Sequence, residues 1–270
     1  MPPFATRPPR VGLALGGGAA RGFAHVGVIA VLEQHGLRPD LVVGTSAGSL
    51  VAALYASGKN PAELETAALA MEESTLTDWT LPFANRGMLR GTALAKYVNT
   101  QVQSRSIERM PLPLGIVATD LANGEGVLFR RGDTGTAVRA SSAVPGVFQP
   151  VEIAGREYVD GGLVAPVPVR YAQQMGAELV VAVDISSAPD GNAATDSFKV
   201  LLQTFAIMGQ TINRHELASA HVVVRPPLKG VGSAAFNERQ RSIAAGREAM
   251  LAALPALRQQ LIQRAVRVTR

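Results

Sequence analysis

The feature that most constrains this chain's fold occurs twice between residues 11 and 56: a short apolar run closed by glycines and followed at once by a helical pattern. Val11–Leu15 runs into Gly16-Gly17-Gly18, and Gly22–Gly36 then reads as a helix with apolar positions at Val26, Ile29, Ala30 and Leu32. After Pro39-Asp40 a second run, Leu41-Val42-Val43, meets the tight turn Gly44–Gly48, and the next helix carries Leu50, Val51, Leu54 and Tyr55. Strand, loop, helix, strand, turn, helix in this order implies an α/β fold, a mostly parallel central sheet with helices on its faces.

The rest of the chain continues the alternation. Asn60-Pro61 opens a helix through Glu73, Thr92 caps another to about Val102, and Ser74–Arg90 between them is irregular. Leu114–Leu121 and Gly126–Arg130 read as a hairpin around Asn123-Gly124. Ala137–Ala143 and Pro166–Met175 read as helices, Tyr158–Gly162 as a short strand and turn, and Leu179–Asp184 as a buried strand. Ser187–Ala194 is the best linker segment. Phe198, Leu201, Leu202, Phe205, Met208 and Ile212 form one helix face, which is assigned to the core because burial is the commoner cause of such a stripe. Val222–Val224 is a last strand, and a long helix interrupted at Pro255 follows from Asn237. With 47% hydrophobic and 17% charged residues among 270, the chain is long enough and apolar enough for a sizeable core. The expected organisation is a flexible arm over residues 1–10 and one domain over 11–270, including a C-terminal helical region, 237–270.

Composition removes several chemistries. There is no cysteine, which excludes disulfides, thiolate nucleophiles and Cys-ligated metals. The four histidines, His25, His35, His215 and His221, show no metal-ligand spacing, so neither a metal nor another cofactor is expected. Arg7 and Arg10 before the apolar stretch Val11–Ala20 imitate a signal peptide, but four prolines in Met1–Arg10 and Gly12, Gly16, Gly17 and Gly18 argue against a continuous apolar helix. No run reaches the roughly 18 apolar residues that span a bilayer. The expectation is a cytoplasmic protein.

Two glycine turns carry the chemistry. Gly44-Thr45-Ser46-Ala47-Gly48 has the form G-x-S-x-G between a strand and a helix, a turn that holds a serine in a strained conformation with its hydroxyl exposed. On its own the pentapeptide is equally a glycine-rich connection with a serine N-cap. Gly16-Gly17-Gly18-Ala19-Ala20-Arg21-Gly22 lies at the same end of the neighbouring strand, where outward-facing amides bind a phosphate or the oxyanion of a tetrahedral intermediate. Neither frame of this loop satisfies G-x-G-x-x-G, and no acid ends the second strand, so dinucleotide binding is a minor alternative.

An activated serine needs a base. His215 falls in a helical pattern and His221 directly before the last strand, neither on a catalytic loop, while His25 is kept as a supporting residue behind the glycine loop. Asp160 in Val159-Asp160-Gly161-Gly162 is the better base, ahead of the competing Asp120, because its glycine pair and Pro166-Val167-Pro168 suit a rigid loop that holds a side chain in place.

These residues together resemble the patatin-like phospholipase family, particularly its bacterial single-domain members. The glycine loop, Gly44–Gly48 with Ser46, Ala118-Thr119-Asp120-Leu121, Arg139-Ala140-Ser141-Ser142-Ala143, Pro145–Pro150, Asp160-Gly161-Gly162 and Ala177–Asp184 occur in that family's order, over residues 11–185. The resemblance implies a three-layer α/β/α fold and a serine acyl hydrolase acting on (lyso)phospholipids or related lipids. Ser46 would be the nucleophile, Asp160 its base with a raised pKa, and the Gly17, Gly18 and Ala19 backbone the oxyanion hole, with Arg21 and Gly22 completing the loop. Gly16, Gly44, Gly48, Gly161 and Gly162 would support the motifs. Ala19 departs from the family, where many relatives carry glycine; a left-handed backbone is harder for alanine. A non-catalytic acyl- or partner-binding protein and an acyltransferase are the alternative functions.

The net charge of +5 sits at the chain ends. Seven arginines from Asn237 to Arg270 face only Glu238 and Glu248, and Arg7 and Arg10 lie in the arm, which leaves residues 11–236 slightly acidic. This disfavours a nucleic-acid partner. The expected partner is a lipid or acyl-ester substrate. The C-terminal helix, with Ile243, Met250, Leu254, Leu257 and Leu261 on one stripe flanked by Arg247 and Arg258, suits either peripheral contact with an anionic membrane or packing on the core, the latter being favoured.

Overall fold

In the computed structural model, which describes residues 6–76, 78, 87–187, 197–232 and 234–267, the glycine-closed apolar runs become strands of one eight-stranded sheet. Its strands are β1 (Val11–Leu15), β2 (Leu41–Thr45), β3 (Leu114–Asp120), β4 (Gly126–Phe129), β5 (Val151–Ile153), β6 (Arg156–Asp160), β7 (Leu179–Val183) and β8 (Val222–Val224). The order is β8-β7-β1-β2-β3-β6-β5, with β4 also paired to β3. Strands β8, β7, β1, β2 and β3 are parallel, whereas β4 and β6 run antiparallel to β3, and β5 antiparallel to β6.

Successive side chains leave a strand on opposite faces, and both faces here are apolar, as a covered parallel sheet requires. Leu13, Leu15, Val42, Val181 and Val183 face one way, onto α1 (Phe23–Gln34) and α2 (Ala47–Ala56), with α3 (Pro61–Ala70), α4 (Thr92–Gln101) and the helix Arg239–Gln263 completing that core. Ala14, Val43, Val180 and Ala182 face the other way, onto the short helix Val169–Gln174 and the end of the long helix Ser197–Ala218. In chain order these remaining helices are α5 (Thr134–Ser141), α6 (Val169–Gln174), α7 (Ser197–Ala218) and α8 (Arg239–Gln263). The result is the three-layer α/β/α arrangement.

Helix α1 is buried on every side, from Phe23 to Leu32, because α8 crosses its outer face. Small residues permit the crossing: a Cβ at Gly27 would lie 2.0 Å from the Ile243 carbonyl oxygen, and one at Gly246 would lie 1.9 Å from that of Ala24. The apolar stripe Ile243, Met250, Leu254 and Leu257 is thereby buried. Its arginines bind within the molecule, Arg239 to the carbonyls of Leu69 and Met71 and Arg247 to Glu65. The core alternative for this helix is therefore the observed one.

The structure corrects several local expectations. Helix α8 continues through Pro255; the carbonyl that loses its partner belongs to Leu251, a half-exposed residue. Thr92 is not the cap of α4, whose N-cap is Gly91; its first amides instead donate to the Asp78 carboxylate. Pro166 and Pro168 delay α6 to Val169. Strand β5, and the parallel pair Gly87–Leu89 with Gly146–Phe148, add strands beyond those read from the sequence, and β6 begins at Arg156 rather than Tyr158. The arm is held at its described end, where Thr6–Arg7 pairs with Val266–Arg267 and Arg7 bonds Glu178 at 2.7 Å. Residues 77 and 79–86 of the irregular stretch and residues 188–194 of the linker segment lie outside the described residues.

Candidate active site

The two glycine turns meet because β1 and β2 are neighbours whose ends coincide, with Leu15 opposite Gly44. Ligand sites of open parallel sheets form at such carboxyl ends. Ser46 has φ 53° and ψ −125°, a conformation unfavourable for a side chain larger than hydrogen. The turn closes only around glycines: a Cβ at Gly44 would lie 2.4 Å from the Gly48 carbonyl oxygen, and one at Gly48 would lie 2.1 Å from that of Leu15. The Ser46 N–H donates to Ser141 Oγ at 2.8 Å, and that buried hydroxyl donates to the Val117 carbonyl at 2.5 Å. The end of α5 thus holds the strained turn against β3. Ser141 was not among the candidate site residues.

Strand pairing also explains how Asp160 arrives beside Ser46. On β3, Ala118 and Thr119 pair with Val127 and Gly126 on one flank, so Asp160 and Val159 must take the other. That second flank is occupied up to Val117 by β2, whose Thr45 is the residue before Ser46. Strand β6 therefore continues where β2 stops, and its last residue, Asp160, abuts the serine turn. The Ser46 side chain is close enough to the Asp160 carboxylate to favour its charged form. Burial raises the Asp160 pKa from 3.8 to about 6, against the opposing effects of the Gly162 N–H, which donates to Oδ1 at 2.6 Å, and of Ser46. Gly161 packs against β3, where a Cβ would meet the Val117 carbonyl oxygen at 2.2 Å. Asp120 goes elsewhere, to Arg156 at 2.6 Å, and that hydrogen bond holds its pKa below the usual carboxylate range.

In the first glycine loop, the Gly16 N–H donates to the Val183 carbonyl and the Gly17 N–H to that of Pro166 at 2.9 Å. The Gly17 amide is therefore taken up by the scaffold, which corrects its expected place as an oxyanion donor. A Cβ there would lie 3.1 Å from Ser46 Cβ, so the residue still serves as close backbone beside the serine. Gly18 and Ala19 have no hydrogen-bond partner for their amides among the described residues. Ala19 adopts φ +51°, the left-handed conformation in which alanine is strained. His25 is fully buried behind the loop and donates Nε2–H to the Gly16 carbonyl at 2.8 Å; burial lowers its pKa to about 4, so it stays neutral. Arg21 is buried with its Nε 3.4 Å from the Gly18 carbonyl, and desolvation lowers its pKa. Gly22 touches the serine helix, where a Cβ would meet that of Ala47 at 2.8 Å.

Two cavities meet at this point, of about 510 and 230 Å³, and share Ala19, Ser46, Val144 and Leu202. The larger is apolar and runs past Leu54, Leu64, Met71 and Phe148. Asp160 and Arg21 line the smaller, together with Leu202, Phe205, Met208 and Ile212 of α7. That face of α7, assigned to the core from its periodicity, instead lines the cavity beside the serine, and Leu201 and Met208 are 37% and 50% exposed. Neither His215 nor His221 lines either cavity, and His221 Nδ1 accepts the Val180 N–H at 2.9 Å.

A strained serine turn beside a buried carboxylate, at the carboxyl end of a mostly parallel sheet, defines the class: an α/β protein of three layers with a glycine-bounded serine turn between strand and helix. Within that class, residues 13–172 match the family described as Patatin-like phospholipase, and the chain belongs to that family. An uncharacterized NTE family protein of Mycobacterium tuberculosis is 37% identical over 185 residues, which cover 68% of this chain and 51% of the relative. Patatin-like phospholipase domain-containing protein 6 of Mus musculus is 33% identical over 193 residues, covering 68% of this chain and 14% of that protein. The chain thus spans about half the length, or less, of these curated relatives. Among solved structures, VipD from Legionella pneumophila has a TM-score of 0.56 at 15% identity, with 93% of this chain and 68% of that one covered. The type III effector ExoU has a TM-score of 0.54 at 16% identity, with 95% and 54% covered. These likenesses establish the fold. Among the described residues no helix is long and apolar enough to cross a membrane.

Proposed function

We propose that the protein is a serine acyl hydrolase that cleaves fatty-acyl esters of phospholipids, lysophospholipids or related lipids through a Ser46–Asp160 dyad. The observation that carries this reading is the strained Ser46 turn, set beside the buried Asp160 carboxylate where two cavities meet. Ser46 Oγ attacks the acyl carbonyl as Asp160 takes its proton. The Gly18 and Ala19 amides receive the oxyanion; losing one such donor costs on the order of 3 kcal/mol of transition-state stabilisation. Collapse expels the alcohol, which regains the proton from Asp160. Water, deprotonated by Asp160, then attacks the acyl-serine and releases the fatty acid. The larger cavity suits the acyl chain, since Leu54, Leu64, Met71 and Phe148 offer an apolar wall.

The test is turnover of a lysophospholipid and of a short soluble ester by the full chain and by Ser46→Ala. The substitution should lower kcat at least about a thousandfold and abolish labelling by a fluorophosphonate. Turnover at the unsubstituted rate would refute the scheme, and a wild-type serine that resists the label would favour a binding protein.

A further inference from the structure

Helix α7 turns an apolar face in two directions. Leu202 and Phe205 line the smaller cavity, whereas Val200 and Ile207 stand 51% and 50% exposed on the outside. Met208 belongs to both sets, lining the cavity while 50% exposed, so it links the exposed apolar face to the cavity beside Ser46.

The outward stripe is built from Val200, Thr204, Ile207, Thr211 and Arg214, spaced alternately by four and three residues along one helix face. Both threonine hydroxyls turn back to the helix, Thr204 to the Val200 carbonyl at 2.8 Å and Thr211 to that of Ile207 at 3.4 Å. Their methyl groups extend the apolar surface, and their donors are not offered to a partner. The stripe ends at exposed Arg214 and His215. Among the described residues of α7 the carboxylate, Glu216, is buried and paired with Arg170.

We propose that this face docks on a lipid surface bearing anionic head groups and passes the acyl ester into the cavity over Leu201 and Met208. The proposal rests on the reading of that cavity as the ester site. Three observations select a lipid surface over a protein partner: the apolar path continues into the cavity, the stripe's hydroxyls are satisfied internally, and its exposed charge is cationic without an exposed acid. Helix α8, the more basic segment, is unsuited because its apolar stripe lies against α1.

The test is cosedimentation of the full chain with phosphatidylcholine vesicles, with and without phosphatidylglycerol. Wild type should bind the anionic vesicles more tightly. Val200→Ser with Ile207→Ser should weaken binding at least about tenfold while leaving soluble-ester turnover unchanged. Arg214→Gln should weaken binding to the anionic vesicles about fivefold and not that to pure phosphatidylcholine. Unchanged binding of the double variant would overturn the proposal, as would a wild-type dimer that the same variant dissociates, which would assign the face to a second copy. Soluble-ester turnover without vesicle binding would overturn the docking surface alone. Vesicle binding without such turnover would support docking and count against the hydrolase reading alone.

Discussion

At the residue scale, Asp160 combines two demands that conflict. Its carboxylate must be charged to accept a proton from Ser46, yet it is buried at 6% exposure, and its pKa is raised to about 6. Because the folded pKa exceeds the ordinary value of 3.8, protonation favours the folded state below about pH 4, and that contribution is lost as pH rises through about 6. Asp160→Asn retains an acceptor for the Gly162 N–H and removes the charge. It should therefore raise stability near pH 7, by about 3 kcal/mol at most, and the gap from wild type should close below about pH 4. Urea melts across this range check the stability, and the wild-type kcat for a soluble ester should rise with pH to half its plateau near 6. A variant no more stable than wild type at neutral pH would show that the ionised carboxylate carries no burial penalty. The competition with Asp120 is already legible in sequence through the glycines after Asp160. The identity of the free amides is not, since only the fold reveals that Pro166 takes the Gly17 N–H.

At the scale of elements, the parallel strands are legible because each is a short, mainly apolar run, two of them closed by glycines, a local pattern with a local cause. The β5–β6 hairpin is legible only in its last residues, the strand before Asp160-Gly161-Gly162, because Val151–Ile153 is three residues long and Arg156-Glu157 is charged and exposed, so neither stands out from a loop. Yet this hairpin brings Asp160 to the serine by sharing a flank of β3 with β2. The stripe on α7 misleads for a different reason: periodicity reports an apolar face and is silent on whether protein or an open cavity lies against it. Ser141 likewise lacks a signal of its own, as a serine at a helix end is common. Removing its hydroxyl strands the Ser46 N–H and the Val117 carbonyl, which costs about 1–3 kcal/mol of stability. With the elbow free to relax, Ser141→Ala should lower kcat roughly ten- to a hundredfold at unchanged KM. Steady-state kinetics beside a melt separates the roles, since lost stability with full kcat would restrict the hydroxyl to folding.

At the scale of the whole molecule, the family match ends at residue 172, but the sheet and its cover do not. Strands β7 and β8 extend the sheet beyond β1, and α8 seals α1, whose first turn follows the glycine loop. The charge of +5 follows the same logic in part: Arg239 and Arg247 bind α3 and the chain just after it, so two of the seven C-terminal arginines fasten a helix to the core. We infer that residues 11–267 fold as one unit. Ile243, Met250, Leu254 and Leu257 are each buried, and at about 1.5–3 kcal/mol apiece their removal rivals the roughly 5–15 kcal/mol that holds a whole domain together. A chain ending at Glu238 should therefore lose its cooperative melt and its ester turnover. A chain ending at Gln263 loses the short pairing of Val266–Arg267 with Thr6–Arg7 and the bonds of Arg264 to Gln260, and should keep melt and turnover, because Arg7 still holds Glu178. Calorimetry of the two truncations decides the matter: a cooperative, active fragment ending at Glu238 would make α8 a separable appendage, with the glycine loop supported by the sheet alone.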